Sequence, residues 1–312
     1  MTAVIALPPS LDDQSFEQVF TQLAAVPADA RLLLDARHAR WASPYGLTAL
    51  LTLAQTRPER PAFVLPEADD TLSYWSRTGF FKQAEPLFDF AKSPPRPRGG
   101  AGSQVLLEIT AIGKPGDVHD VIGRIQERSQ AILQGELGLD PRATMGFSMT
   151  LSEACQNIVE HAGGSGWVAV QTYKWARRLG RRVVNIAVCD AGQGFRRSLE
   201  TVQQARADGR WDDAMALEDA VIRGVSRFRL KDAGRGQGLA GIRRYVGKWD
   251  GKLTVRSGTA RIAIVPSWDD DKPLVEKLAP FPGAQMQITI PEPAAAAAAS
   301  AAAAGKASGV AP

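Results

Sequence analysis

Apolar residues along the first ninety positions recur with two different periods. Phe16, Val19, Phe20 and Leu23 follow the i, i+3, i+4, i+7 stripe of an amphipathic helix. The run Arg31–Asp35, R-L-L-L-D, is short and apolar, as a strand is, and Ala62–Leu65 reads the same way. Pro44 can open a helix between them, because at the first helical position it gives up only an orphan donor. Residues Thr71–Phe81 form a further helix candidate ending near Gly79. Such alternation predicts an α/β layer.

A second series begins beyond a stretch without periodicity. Val105–Ile112 is predicted as a strand and Asp117–Leu133 as a helix. The helix Thr144–Ala162 is stopped by Gly163 and Gly164. Arg182–Cys189 is a buried-strand run ending at Asp190, and Leu239–Val246 is a helix. Strands follow at Asp250–Val255, at Ala260–Val265 and in P-G-A-Q-M-Q-I-T-I-P.

The intervening stretch Lys92–Gln104 is dense in Pro and Gly and reads as a linker more readily than as a Pro-rich ligand. From about Pro293 the chain is mostly Ala with no apolar face to bury, which predicts a disordered tail. The expected domains are therefore 1–91, the linker 92–104, a larger domain 105–292 and the tail 293–312.

Composition narrows the class. A chain of 312 residues with 45% hydrophobic and 22% charged residues fits a soluble globular protein. The net charge of +4 is small and its basic residues are interspersed with acids, so no nucleic-acid footprint is expected. The opening M-T-A-V-I-A-L-P-P-S lacks a basic flank, and Leu47–Ala54 is far too short to cross a bilayer. No membrane association is expected, and a cytoplasmic location is. Cys155 and Cys189 lack metal-ligand spacing and read as reduced, buried thiols.

Three segments carry candidate chemistry. In E-A-C-Q-N-I-V-E-H, Glu153, Asn157 and His161 share one helical face. Glu153 can serve as a general base, and the Asn157 amide oxygen is a hard ligand for Mg²⁺. Alone, the stripe would read as a solvated face. In C-D-A-G-Q-G-F, the strand-end acid Asp190 can accept a hydrogen bond from an adenine amino group, while Gly192 and Gly194 permit a tight turn. In G-R-G-Q-G-L-A-G, Gly234, Gly236 and Gly238 lead into a helix whose N-terminal amides favour an anion. Arg227, Arg229, Lys231 and Arg235 precede or lie within it and can face phosphates. A dinucleotide fingerprint at Gly236, Gly238 and Gly241 fails on context, since no apolar strand precedes it.

In that order, the three boxes of residues 105–292 resemble the GHKL superfamily of Bergerat-fold ATPases, nearest its anti-sigma-factor serine kinases. Glu153, Asn157 and His161 match the helix motif; Asp190, Gly192 and Gly194 match the Asp-x-Gly-x-Gly box; Gly234 to Gly238 match the lid end. Ala284 stands where many members have Thr. The resemblance implies a mixed sheet with helices on one face, binding ATP and Mg²⁺.

Residues 1–91 resemble a STAS domain, through Asp35, the W-A-S-P-Y-G-L turn at Trp41–Leu47 and Y-W-S-R-T-G-F-F. An unrelated α/β domain is the alternative. In that family a serine before the helix accepts phosphate, whereas here the position holds Tyr45, with Ser43 in place of the usual acid. The N-terminal part is thus expected to be a docking or regulatory domain that is not itself phosphorylated and that covers or positions the ATP site.

Three functions follow from the resemblance: a serine kinase acting in trans on a STAS-type or sigma-regulator partner, a slow ATPase or ATP-gated switch, and a binding module without turnover. Glu153 and Asn157 together disfavour the third. A homodimer is left open.

Overall fold

The computed structural model describes residues 2–96, 105–113, 165–175, 179–203, 211–225 and 238–293, with single positions at 123, 134, 141, 144, 145, 148, 152 and 155. It is a mixed α/β protein with both parallel and antiparallel sheets. Among the described residues no helix is long and apolar enough to cross a membrane.

The N-terminal part contains β1 (Thr2–Ala6), β2 (Ser10–Leu11), α1 (Phe16–Ala24), β3 (Arg31–Asp35), β4 (Trp41–Ala42) and α2 (Pro44–Gln55). It continues through β5 (Ala62–Val64), α3 (Asp69–Arg77), α4 (Phe80–Ala84) and β6 (Asp89–Phe90). Its main sheet is parallel, in the order β1-β3-β5-β6. The helical stripe behaves as the pattern predicts, with Phe16, Val19 and Phe20 buried and Leu23 packed against the same core. Pro44 opens α2, and the Ser43 hydroxyl caps it by accepting from the Gly46 N–H at 3.2 Å. The helix expected over Thr71–Phe81 is instead two helices. The break falls at Gly79, whose φ of 77° is a conformation that glycine adopts without a Cβ penalty.

The larger sheet is built from β7 (Val105–Ile112), β8 (Gly166–Lys174), β9 (Arg182–Asp190), β10 (Lys252–Gly258), β11 (Ala260–Ile264), β12 (Leu274–Val275) and β13 (Phe281–Pro291). The helices described in full beside it are α5 (Gly194–Gln203), α6 (Asp213–Leu217), which runs into a π-helical turn at Glu218–Ile222, and α7 (Gly238–Lys248). The strand order is β12-β11-β10-β13-β9-β8-β7. Every described pairing in it is antiparallel, so the expectation of a mixed sheet does not hold for this layer. Each neighbouring strand returns beside its partner in the opposite sense, and the parallel pairings belong to the N-terminal part.

Alternation along the strands assigns the two faces. Val168, Val170, Val184, Ile186, Val188, Met286, Ile288 and Ile290 point to one core, with Leu199 of α5, Leu217 of α6 and Ile242 of α7. Cys155 lies in the same core, and positions 144, 145, 148, 152 and 155 are helical. Trp167, Ala169, Ala187 and Cys189 point the other way, into a core shared with α1 and α2. The sheet is therefore covered on both faces, not on one. Helix α2 lies wedged between the two sheets, and residues Pro44 to Ala54 are all buried. At the edge, β7 is closed by the N-terminal part: the Ile109 N–H donates to the Thr78 carbonyl at 2.8 Å, and Gln83 Nε2 donates to the Ile109 carbonyl at 3.2 Å.

Candidate functional site

Asp190 ends β9 on the face that carries Val184, Ile186 and Val188, the face shared with α5, α7 and Cys155. Only 7% of it is exposed. Its carboxylate accepts from the Gly192 N–H at 2.8 Å and from the backbone N–H of Ala284. Burial pushes its pKa up to about 6, against the opposing pull of those two N–H groups. A carboxylate offers about four acceptor positions, so capacity remains for a donor from a ligand.

The turn after Asp190 is fixed by its neighbours. Gly194 has φ +71°, and a Cβ there would lie 2.6 Å from Ser257 Oγ. That hydroxyl accepts from the Phe195 N–H at 3.1 Å and donates to the Gly283 carbonyl at 2.8 Å. Gly283, at φ +78°, approaches so closely that a Cβ would sit 2.0 Å from the Asp190 carbonyl oxygen. Gln285 Nε2 donates to the same carbonyl at 3.0 Å. Ser257, Gly283 and Gln285 are supports that the sequence reading missed. Gly283 carried the available signal, as an isolated glycine inside a strand pattern often marks a close backbone approach.

Of the residues expected in the site, Asp190, Gly192 and Gly194 come together in this one turn. Gly238 begins α7, which packs its Ile242 and Val246 into the same core. Glu153, Asn157, His161, Gly234, Arg235 and Gly236 lie outside the described residues, as do Arg227, Arg229 and Lys231. The helix expected over Asp117–Leu133 also falls there apart from Gly123. Among the described residues no group of three or more His, Cys, Asp or Glu is arranged to hold a metal. What is described is a buried acid with acceptor capacity beside a tight turn, at which Gly194 lets Ser257 and Gly283 approach closely.

The N-terminal part sits behind the sheet, on the face opposite Asp190, so it backs this turn and does not cover it. Ser43 and Tyr45 are each 1% exposed. Burial holds the Tyr45 phenol well above its ordinary pKa, and its ring packs edge-on to Phe16 at 6.2 Å. Behind the strand end, Thr48 Oγ1 of α2 bonds Cys189 Sγ at 3.2 Å. Both thiols are free and buried, with burial pushing each up to about 12.

No protein-family model matches this chain, and neither curated proteins nor solved structures yield a match.

Proposed function

We propose that the chain is a Mg-ATP-binding regulatory protein in which a STAS-like layer, residues 1–91, is docked behind a Bergerat-type layer, residues 105–292. In this reading residues 92–104 are the linker and 293–312 a tail. The carrying observation is Asp190: a buried acid at a strand end, next to a glycine turn, on the sheet face that also receives Cys155 from between Glu153 and Asn157. Asp190 would take the adenine amino group, with Gly192 and Gly194 forming the tight turn beside it. Asn157 would hold Mg²⁺, with His161 on the same helical face. Gly234, Arg235, Gly236 and Gly238 would meet the phosphates, and Glu153 would take the proton of an attacking hydroxyl. ATP supplies the transferable phosphoryl group. The activity this supports is that of an anti-sigma-factor-type serine kinase acting on a STAS-type partner in trans.

A second reading, an ATP-gated switch or slow ATPase, draws support from α2. The chain's own acceptor position is buried at Tyr45, so its STAS-like layer is a fixed structural partner and not a substrate. Calorimetry on the full chain tests the shared part. Mg-ATP should bind, and Asp190→Asn should weaken it about tenfold or more, since a hydrogen bond to a charged group is worth roughly 1.5–3 kcal/mol. Absent binding, or equal binding by the variant, refutes the nucleotide assignment. Labelled ATP with a set of STAS proteins then separates the readings: label on a protein supports the kinase, and free phosphate alone supports the switch.

A further inference from the structure

Strand β13 is irregular where it passes Asp190. In its pairing with β10, Ser257 faces Ala284 while the next residue, Gly258, faces Phe281. Pro282 and Gly283 are therefore extra, and they form a bulge without ladder partners on β10. Side chains fix both of its carbonyls. Gln285 Nε2 donates to the Pro282 carbonyl at 2.9 Å as well as to the Asp190 carbonyl, and Ser257 Oγ donates to the Gly283 carbonyl. The residue after the bulge, Ala284, supplies the N–H that bonds the Asp190 carboxylate. Bulges re-aim groups beside functional sites, and this one aims a backbone donor.

The chain entering the bulge is held by α1. Glu17 and Phe20 stand at i and i+3 of that helix and so share one face. Arg256 of β10 meets both. Its Nε and a terminal nitrogen donate to the two Glu17 carboxylate oxygens at 2.7 and 3.3 Å, and the guanidinium lies 4.2 Å from the centre of the Phe20 ring. The same guanidinium donates to the Ala279 carbonyl. The Phe20 ring also lies against Phe281, with centroids 4.4 Å apart. Arg256, Phe20 and Phe281 are all buried. Ala279 and Phe281 are thus gripped by a guanidinium that α1 fixes and by a ring that α1 supplies.

The two N–H groups on the Asp190 carboxylate therefore differ in what places them. That of Gly192 belongs to the same turn as the acid, so its bond is local. That of Ala284 comes from another strand, and its position follows that of the bulge. Hydrogen bonds weaken steeply as the donor leaves the line to its acceptor, so a small displacement of the bulge is enough to lose this one. The Gly192 bond would survive it.

We propose that Glu17 and Phe20 of α1 are positioning residues for Asp190: acting through Arg256 and Phe281, they hold the Pro282–Gly283 bulge where the Ala284 N–H meets the carboxylate. The N-terminal layer then governs the acceptor from behind the sheet, without touching what the acceptor binds. The consequence for nucleotide affinity rests on the adenine reading given above, whereas the placing of the carboxylate does not. If that reading holds, releasing one of two N–H groups that orient the carboxylate should weaken Mg-ATP binding about two- to tenfold.

The test follows the Gly192 and Ala284 amide resonances of the full chain, labelled with ¹⁵N at glycine and alanine, through a pH titration without nucleotide. In the parent both amides should titrate with one midpoint near 6, because both bond one carboxylate. In Glu17→Gln and in Phe20→Leu the titration of Ala284 should lose half its amplitude or more while that of Gly192 persists. Phe63→Leu is the control for general destabilisation. It thins the N-terminal core against Trp75 and Phe88, away from the bulge, and should leave both amides unchanged. If Glu17→Gln does not fold, Phe20→Leu decides, since it keeps an apolar side chain in place. An unchanged Ala284 titration in the folded variants, a joint loss at both amides, or the same loss in Phe63→Leu overturns the proposal. Calorimetry with Mg-ATP runs in parallel: a parent that binds none removes the nucleotide reading and leaves the positioning to the amide titration, and parent affinity in variants that have lost the Ala284 bond removes the affinity consequence.

Discussion

At the scale of single residues, Asp190 couples burial to pH. Its pKa of about 6 lies above the ordinary 3.8, so between those values the folded state holds a proton that the unfolded chain has lost. The stability contribution of this group therefore falls as pH rises from about 4 to about 6 and is level above that. In the proposed reading ligand binding would run with the opposite sign, because an adenine amino group would bond the ionised acceptor. Affinity for Mg-ATP should drop about tenfold from pH 7 to pH 5, since a group of pKa about 6 is then only about one-tenth ionised. Calorimetry at both pH values checks this, with Asp190→Asn as the non-titrating reference; a flat profile for the parent would remove the ionised-acceptor role. The acid and its two glycines were legible because a charge ending an apolar run is unusual. Ser257 and Gln285 were not, because a serine and a glutamine in strands give no local sign that they brace a turn more than sixty residues away.

At the scale of elements, the periodic segments were the readable ones. The stripe of α1 and the apolar runs of β3 and β9 each bury what their spacing says they should. Strand β8 was missed, although W-V-A-V-Q-T-Y alternates between the two cores, because it is apolar on both faces and so lacks a polar side. Helix α2 is the sharper case. Its sequence is too uniformly apolar for a surface helix, and the reason is that both of its sides are covered. Thr48 and Thr52 survive inside it by donating back to the Pro44 and Thr48 carbonyls, each at 2.9 Å. A kinase cannot reach a hydroxyl at its start: the Ser43 oxygen is occupied as a cap and the Tyr45 ring is packed in the core. Mass spectrometry after incubation with Mg-ATP should accordingly find neither residue phosphorylated, and stoichiometric phosphate on either would show that the layers separate.

At the scale of the whole molecule, the seam between the layers was the least legible feature, since its partners lie far apart in sequence. Arg256 of β10 is 1% exposed, and its Nε donates to Glu17 Oε1 of α1 at 2.7 Å. Its other nitrogens reach the Gly258 and Ala279 carbonyls, and the guanidinium lies 4.2 Å from the centre of the Phe20 ring. Beside it Asp13 accepts from Thr254 Oγ1 at 3.0 Å, again across the seam. A buried cation with one counter-charge ties the stability of the larger sheet to the presence of α1. Glu17→Ala leaves Arg256 uncompensated and should cost roughly 3–5 kcal/mol, the usual penalty for breaking a buried ion pair. Because the apolar seam from Trp167 to Phe281 is continuous with the N-terminal core, the loss should be felt by both layers at once. Scanning calorimetry of the parent should show one cooperative transition, and Glu17→Ala should move all of it down by several degrees. Two transitions, with only the less stable one displaced by the substitution, would mean that the layers fold independently and that the ion pair is a local contact.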